Sequence, residues 1–487
     1  MSALLWLFGF FAVASVVTYV GVAYMRRWAA QRMLDIPNER SSHTRPTPRG
    51  GGLLIVLVTL AGLWLAALLL GIGGRQPALA AFSLAAALIA WVSWRDDLRP
   101  VSNRVRFGAH AIGALAVITL VGSWQTVELP LLHMLPLGWL GIPITFFWLV
   151  GLTNAYNFMD GIDGLAGGQS VVAGLGWLAL GQFVGVPPLV SLVGVLVSGS
   201  SLGFLGHNWP PARIFMGDVG SAFLGFTLAV LAVLGGLADA RLPFAGVLLL
   251  WPFLFDTIFT ILRRLRRREN IFAAHRSHLY QRLVIAGWRH RTVTLLYMGL
   301  ALLGAGLALA WLFKLPGSAL AASLLPPLCA LLLWWGVLRV ERRTDVDRVQ
   351  MLRGLQARLE LDLHRPRVAR GLDEHVCRLR VAERDLRQDV AELEDRLVID
   401  LEHARAGAQA RLPGGTAGVH VADHRLGERH PAREQDREHD EPEQHVHQHA
   451  ARIDEEALAD RLRPQVVRSD RRAGRTSLLA GHSHVSA

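Results

Sequence analysis

Apolar runs of about 20 residues recur along the first two-thirds of this chain, and they leave few folds open to it. They lie near 3–24, 52–72, 77–94, 107–123, 138–153, 165–185, 189–206, 219–238, 242–262, 292–313 and 317–338. A helix needs about 20 apolar residues to cross a bilayer, so the expected fold is an all-α, polytopic transmembrane helical bundle of about 10–11 spans. The first run is read as a retained span rather than a signal peptide: no positive charge precedes it, and Arg26 and Arg27 follow it.

Charge sets the orientation. Alternate connections carry Arg26, Arg27, Arg32, Arg40, Arg45 and Arg49; then Arg95, Arg99, Arg104 and Arg106; then Arg213; then Arg263, Arg264, Arg266, Arg267 and Arg268. The opposite connections hold little beyond Arg75, Arg241 and Lys314. Basic connections stay on the cytoplasmic side, which puts the N-terminus outside. The net charge of +11 then follows from topology and from contact with anionic lipid or substrate, and nucleic acid is not an expected partner. Cys329 and Cys377 are the only cysteines, so neither a disulfide framework nor a zinc site is expected.

Composition divides the chain at about Leu338. Residues 1–338 form the expected transmembrane catalytic domain, and 339–487 a charged, low-complexity tail. Residues 341–487 contain no Phe, Tyr, Trp, Lys or Asn, which leaves little with which to build a core. Asp373–Ala406 has a helical pattern; the rest reads as disordered, and His445, His447 and His449 as a polar run rather than a metal site. The missing residue types also fit GC-rich DNA translated in a non-native frame, a hypothesis that abundant native peptides from beyond Arg384 would exclude.

The polar motifs gather on the predicted cytoplasmic side. They are DIPNERSSHTRPTPRGGG (35–52), WRDDLRPVSNRVR with Asp96 and Asp97, NAYNFMDGIDGLAGG (154–168), GHNWPPARIFMGDVGSAFLG with Asn208, Phe215, Asp218 and Ser221, and the loop 263–282. Prolines 37, 46 and 48 keep the first from being helical. In the third, Asn154, Asn157, Asp160 and Asp163 would share one slowly drifting face of a helix. Each motif has a plainer explanation. Adjacent acids in a loop are often just solvated, a Phe beside a span commonly faces lipid, and an arginine run anchors topology. Acids and amides crowded at a membrane edge are nonetheless costly and usually mark a site.

Taken in order and spacing over about residues 25–290, the five motifs resemble the polyprenyl-phosphate N-acetylhexosamine-1-phosphate transferase family. The resemblance implies transfer of an N-acetylhexosamine 1-phosphate from a UDP-sugar to undecaprenyl phosphate, with release of UMP, at the cytoplasmic face of the bacterial inner membrane. It implies catalytic roles for Asp96, Asp97 and Asp218 and Mg²⁺, or Mn²⁺ in its place, on Asp218 and Asn157. Substrate contacts fall on Asn154, Asp160, Asp163, Asn208, Phe215, Arg264, His275, Arg276 and His278. Partners would be the UDP-N-acetylhexosamine, the lipid phosphate and the bilayer; a homodimer is compatible with the pattern but not required by it.

Two departures stand out. The family's lysine before the second span is absent, with Arg45 or Arg49 in position to replace it. After His278 come Leu279, Tyr280 and Gln281, where several relatives carry further histidines. The form SHLYQ resembles members that serve O-antigen or capsule synthesis, including those using 6-deoxy sugars such as FucNAc or QuiNAc, and Tyr280 and Gln281 are expected to bear on sugar choice. The rival from another class is a transporter of an anionic solute. It would place ionisable groups at the bilayer midplane and show internal repeats, neither of which is evident.

Overall fold

In lipid a backbone must satisfy its own hydrogen bonds, and a long apolar run does so as a helix. The protein, seen in a computed structural model that describes residues 2–37, 45–70, 77–183, 186–270 and 275–363, follows that rule. The helices are α1 (Ser2–Ala29), α2 (Gly52–Leu70), α3 (Pro77–Leu98), α4 (Asn103–Leu120), α5 (Gly141–Phe158) and α6 (Leu165–Phe183), followed by α7 (Pro188–Asn208), α8 (Asp218–Ala238), α9 (Leu242–Arg266), α10 (Leu279–Ile285), α11 (His290–Leu312) and α12 (Ser318–Leu363). Among the described residues, nine helical stretches are long and apolar enough to cross a membrane. Helices α4 and α6, at 18 and 19 residues, pack among them. The chain is an all-α, multi-pass membrane protein.

Burial ranks the helices. Helix α8 is apolar around its whole circumference and buried without a break from Val219 to Gly235, which makes it the central post. Helices α3 and α5 pack on it, α7 is clasped between α1 and α6, and α11 lies against α9 and α6. Helix α1 instead exposes Leu5, Phe8, Val13 and Val16, as a helix facing hydrocarbon should.

Three features depart from the sequence pattern. Helix α5 stops at Phe158, so Asn154 and Asn157 are helical while Asp160 and Asp163 lie in the following turn, where Gly164 takes φ +77°. The shared helical face expected for all four is therefore limited to the two asparagines. Between α4 and α5 the chain forms an antiparallel hairpin, β3 (Thr126–Leu129) with β4 (His133–Pro136), that apolar periodicity did not announce. In the first polar motif, β1 (Leu34–Asp35) pairs with β2 (Thr47–Pro48); residues 38–44 of that motif lie outside the described residues, as do 271–274 and the tail from 364.

The composition boundary at Leu338 is not a helix boundary, because α12 runs across it to Leu363. Beyond the boundary, Glu341 holds Arg282 of α10 through both carboxylate oxygens, and the Thr344 hydroxyl donates to the Ala286 carbonyl at 3.3 Å. Ending the chain at Leu338 is therefore expected to cost about 1–3 kcal/mol, the usual worth of charge-assisted hydrogen bonds. Ending it at Leu363 keeps both contacts and should cost less. Thermal unfolding of the two truncations in detergent would show it; equal melting temperatures would mean the brace on α10 contributes nothing.

Candidate active site

Four helix ends meet at one point: the last turn of α3, the first turns of α4 and α8, and the last turn of α5. Asp96 and Asp97 close α3, and they do different things. Asp96 accepts the Val101 amide at 2.6 Å and pairs with Arg106 of α4 at 3.0 Å. Asp97 is 4% exposed and turns inward, its two carboxylate oxygens each accepting a backbone amide of α8, from Asp218 and Val219, at 3.0 Å. An anion on the first amides of a helix satisfies donors that have no partner within that helix. The residue before them is Gly217, at φ +80°, and a Cβ there would sit 2.7 Å from the Asp97 carboxylate. Only glycine fits this turn.

Asp218 begins α8 with its carboxylate one-third exposed. It accepts the Asn157 amide at 3.0 Å and pairs with Arg106 at 3.3 Å. Asn157 also donates to Ser221 at 2.9 Å, and its own amide oxygen accepts from Arg106 at 3.1 Å. One guanidinium thus gathers oxygens from Asp96, Asn157 and Asp218, on three different helices. The Arg49 guanidinium, beside β2, reaches the Asp97 carbonyl at 2.5 Å. Of the two arginines offered in place of the missing lysine, Arg49 stands at the cluster.

The turn after α5 continues the acidic surface. Asp160 comes first; burial above all, then the charges of Asp218, Asp97 and Asp163, push its carboxyl well above the usual carboxylate range. Asp163 is tied down, accepting the Ala212 amide at 3.0 Å and lying 3.3 Å from His290. Asn208 is buried and staples two loops, accepting from the Gly164 amide and donating to the Ile214 carbonyl, both at 2.9 Å. Asn154, one turn before Asn157, instead donates to Val150 and contacts His110 of α4. Phe215 is seated by backbone hydrogen bonds to Pro48 and Gly51, which join its loop to the first motif.

A cationic group faces the same end. Arg263 and Arg264 close α9, each with a buried Nε–H that has no hydrogen-bond acceptor among the described residues. Arg264 is otherwise engaged within its own loop, by Glu269 at 2.9 Å and the Asn270 carbonyl at 2.6 Å. His275 accepts or donates at Ser277, and burial, then His278, Arg264 and Arg263, push its imidazole down to about 4. Arg276 is half-buried beside it, and His278 is buried. The turn after α5 meets this group at Gly161, which lies so close to the Tyr280 hydroxyl that a Cβ would approach it to 2.1 Å.

Tyr280 and Gln281 correct the sequence reading. Tyr280 is wholly buried with its hydroxyl donating to the Phe158 carbonyl at 2.9 Å, and the Gln281 side chain accepts the His278 amide at 3.3 Å. Both hold the start of α10, a structural role that the sequence reading did not give them. His278 immediately precedes α10, and both residues stay against it, the Tyr280 ring stacked on its imidazole. Sequence reasoning also passed over Arg106, which it counted only as a topological charge, and Asp256 of α9, an acid inside an apolar helix. The second had a usable signal, since such a group is costly wherever it occurs.

Comparison with known proteins covers this same region. Residues 79–236, from α3 to α8, match the family described as Glycosyl transferase family 4. A probable undecaprenyl-phosphate N-acetylglucosaminyl 1-phosphate transferase of Bacillus subtilis is 34% identical over 269 residues, covering 54% of this chain and 74% of that protein. A phospho-N-acetylmuramoyl-pentapeptide-transferase of Synechococcus sp. is 35% identical over 305 residues, covering 59% and 86%. A decaprenyl-phosphate N-acetylglucosaminephosphotransferase of Mycobacterium leprae is 30% identical over 334 residues, covering 60% and 81%.

Proposed function

The chain belongs to the polyprenyl-phosphate N-acetylhexosamine-1-phosphate transferase family, and on that premise we propose that it moves an N-acetylhexosamine 1-phosphate from a UDP-sugar to undecaprenyl phosphate, releasing UMP to begin O-antigen or a related cell-surface glycan. The observation that carries this reading is the convergence of Asp96, Asn157 and Asp218 on one cation, Arg106, at the mouth of a membrane bundle. Joining two phosphates concentrates negative charge, and a preorganised polar site lowers the cost of bringing it together.

In this reading an oxygen of the lipid phosphate forms a new bond to the sugar-bearing phosphorus, and the bond from that phosphorus to UMP breaks. Asp96, at the edge of the cluster and paired with Arg106, orients or deprotonates the acceptor phosphate. Asp97 has both oxygens occupied by α8 and so supports the site from behind. Arg263, Arg264, His275, Arg276 and His278 take the pyrophosphate and sugar, the first two bringing buried guanidinium donors from the end of α9. Asp160, Asp163 and Phe215 take the nucleotide side, with Asn208 holding the turn through the Gly164 amide and Asn154 set against His110 of α4.

The donor set also fits a magnesium ion. Two carboxylates and an amide oxygen are hard ligands, and Mg²⁺ commonly takes one or two carboxylates together with substrate phosphates. Among the described residues no three His, Cys, Asp or Glu side chains cluster as a metal cage. Asp218 and Asn157, with Asp96, would hold it, and it would neutralise the pyrophosphate and the departing UMP.

Identity alone does not choose the sugar, because relatives named for N-acetylglucosaminyl and for N-acetylmuramoyl-pentapeptide transfer match at 34% and 35%. A panel of UDP-linked N-acetylhexosamines, 6-deoxy forms included, tests the donor. The relatives above are all transferases, and nothing favours the transporter reading. The arginine asymmetry supports a cytoplasmic site, on the side where nucleotide sugars are made. With Cys329 and Cys377 replaced, a cysteine at Gln125 should react with an impermeant maleimide from outside intact cells, and one at Arg99 should not. The reverse pattern would invert the topology.

A further inference from the structure

Asp256 lies in the apolar stretch LWPFLFDTIF of α9 and is wholly buried. Its carboxylate is the meeting point of three elements. One oxygen accepts from the Leu279 amide at 2.8 Å, His278 Nδ1 at 3.2 Å and the Thr260 hydroxyl at 3.2 Å. The other accepts from the Tyr297 hydroxyl of α11 at 2.6 Å and the Tyr280 amide at 3.1 Å. Capping α10 would require only one or two of these donors, and an uncharged cap would suffice. A buried ionisable group costs far more than a hydroxyl, so the use of a carboxylate needs a further reason.

The reason is on the His278 ring. An ionised carboxylate only accepts, so the hydrogen between Asp256 and His278 sits on Nδ1. The ring is also fixed in plane, stacked on Tyr280 with centroids 5.8 Å apart and flanked by Phe158 and His275 at 6.2 and 5.1 Å. Nε2 is then the ring nitrogen that carries the lone pair, in a set orientation and a set protonation pattern. We propose that Asp256 is a positioning residue of the transfer reaction, acting through His278 to present Nε2 to the phosphate or sugar of the donor. The proposal rests on the transferase reading above.

A double-mutant cycle on the full-length protein in detergent tests it, with kcat/KM for donor as the readout. Asp256→Asn is expected to lower kcat/KM by roughly 10–100-fold, the usual effect of losing the partner that orients a functional histidine. In a His278→Ala background the same change should cost less than about threefold, because the residue it acts through is gone. Losses that multiply in the double variant would show a structural role only and overturn the proposal. Should Asp256→Asn fail to give monodisperse protein, Tyr297→Phe replaces it in the cycle, since it removes one donor to the carboxylate and leaves the charge. Its loss should likewise disappear without His278, and persistence there would overturn the proposal. A wild-type protein inactive with every donor would count against the transferase reading instead, which separates the two failures.

Discussion

Asp218→Asn is expected to lower transfer by about 10²–10³-fold, the range seen when one charge-stabilising group is removed from a preorganised site. The substitution changes charge at nearly constant volume. The introduced amide oxygen can still accept from Asn157, as Asp218 does at 3.0 Å, and the rest of α8 is packed by residues the change does not touch. The lost term is the anion that faces Arg106 and, in the proposed reaction, the metal and pyrophosphate. The local cost to the helix start should be only about 0.3–1 kcal/mol for an exposed N-terminal charge. Activity should therefore collapse while the melting temperature moves little. Near-normal turnover at saturating Mg²⁺ would remove Asp218 from the centre of the site.

Asp97→Asn should behave differently, although it stands one residue from Asp96. Asp97 is 4% exposed and both of its oxygens accept backbone amides of α8. An asparagine can offer one oxygen, and its NH₂ then opposes the second amide. Hydrogen bonds to charged groups are worth about 1.5–3 kcal/mol, and a buried donor left without a partner adds a comparable penalty. Stability and activity should fall together, activity because the first turn of α8 carries Asp218. Purified Asp97→Asn that melts with the wild type but is inactive would show that Asp97 acts on substrate directly rather than through α8.

The contrast between these two acids shows how far sequence goes. Each apolar run became a helix, because in lipid a run of that length has no other way to satisfy its backbone. The polar motifs converged because alternate connections of an up-and-down helical chain share one side. The roles inside the cluster were harder to read. Asp96 and Asp97 are equivalent as letters, and only the packing of α3 against α8 turns one to the surface and the other to a helix end. Arg106 is hidden by a rule that explains arginines as topology. Tyr280 and Gln281 do lie beside His278, but their burial and their hold on the start of α10 come from packing that the letters do not carry. Asp256 alone breaks the pattern visibly, as a charge in an apolar span, and such exceptions in a membrane helix merit inspection first.

The central claim is that this chain builds a lipid-linked sugar pyrophosphate at the Asp96, Asn157 and Asp218 cluster. It is tested most directly by the mass of the lipid product formed from purified protein, undecaprenyl phosphate, Mg²⁺ and a panel of UDP-N-acetylhexosamines. The predicted result is a lipid heavier by one N-acetylhexosamine phosphate, formed with one UMP per lipid and absent when either metal or Asp218 is removed. A lipid that gains sugar without the second phosphate, or UMP released equally well with no lipid acceptor present, would contradict it.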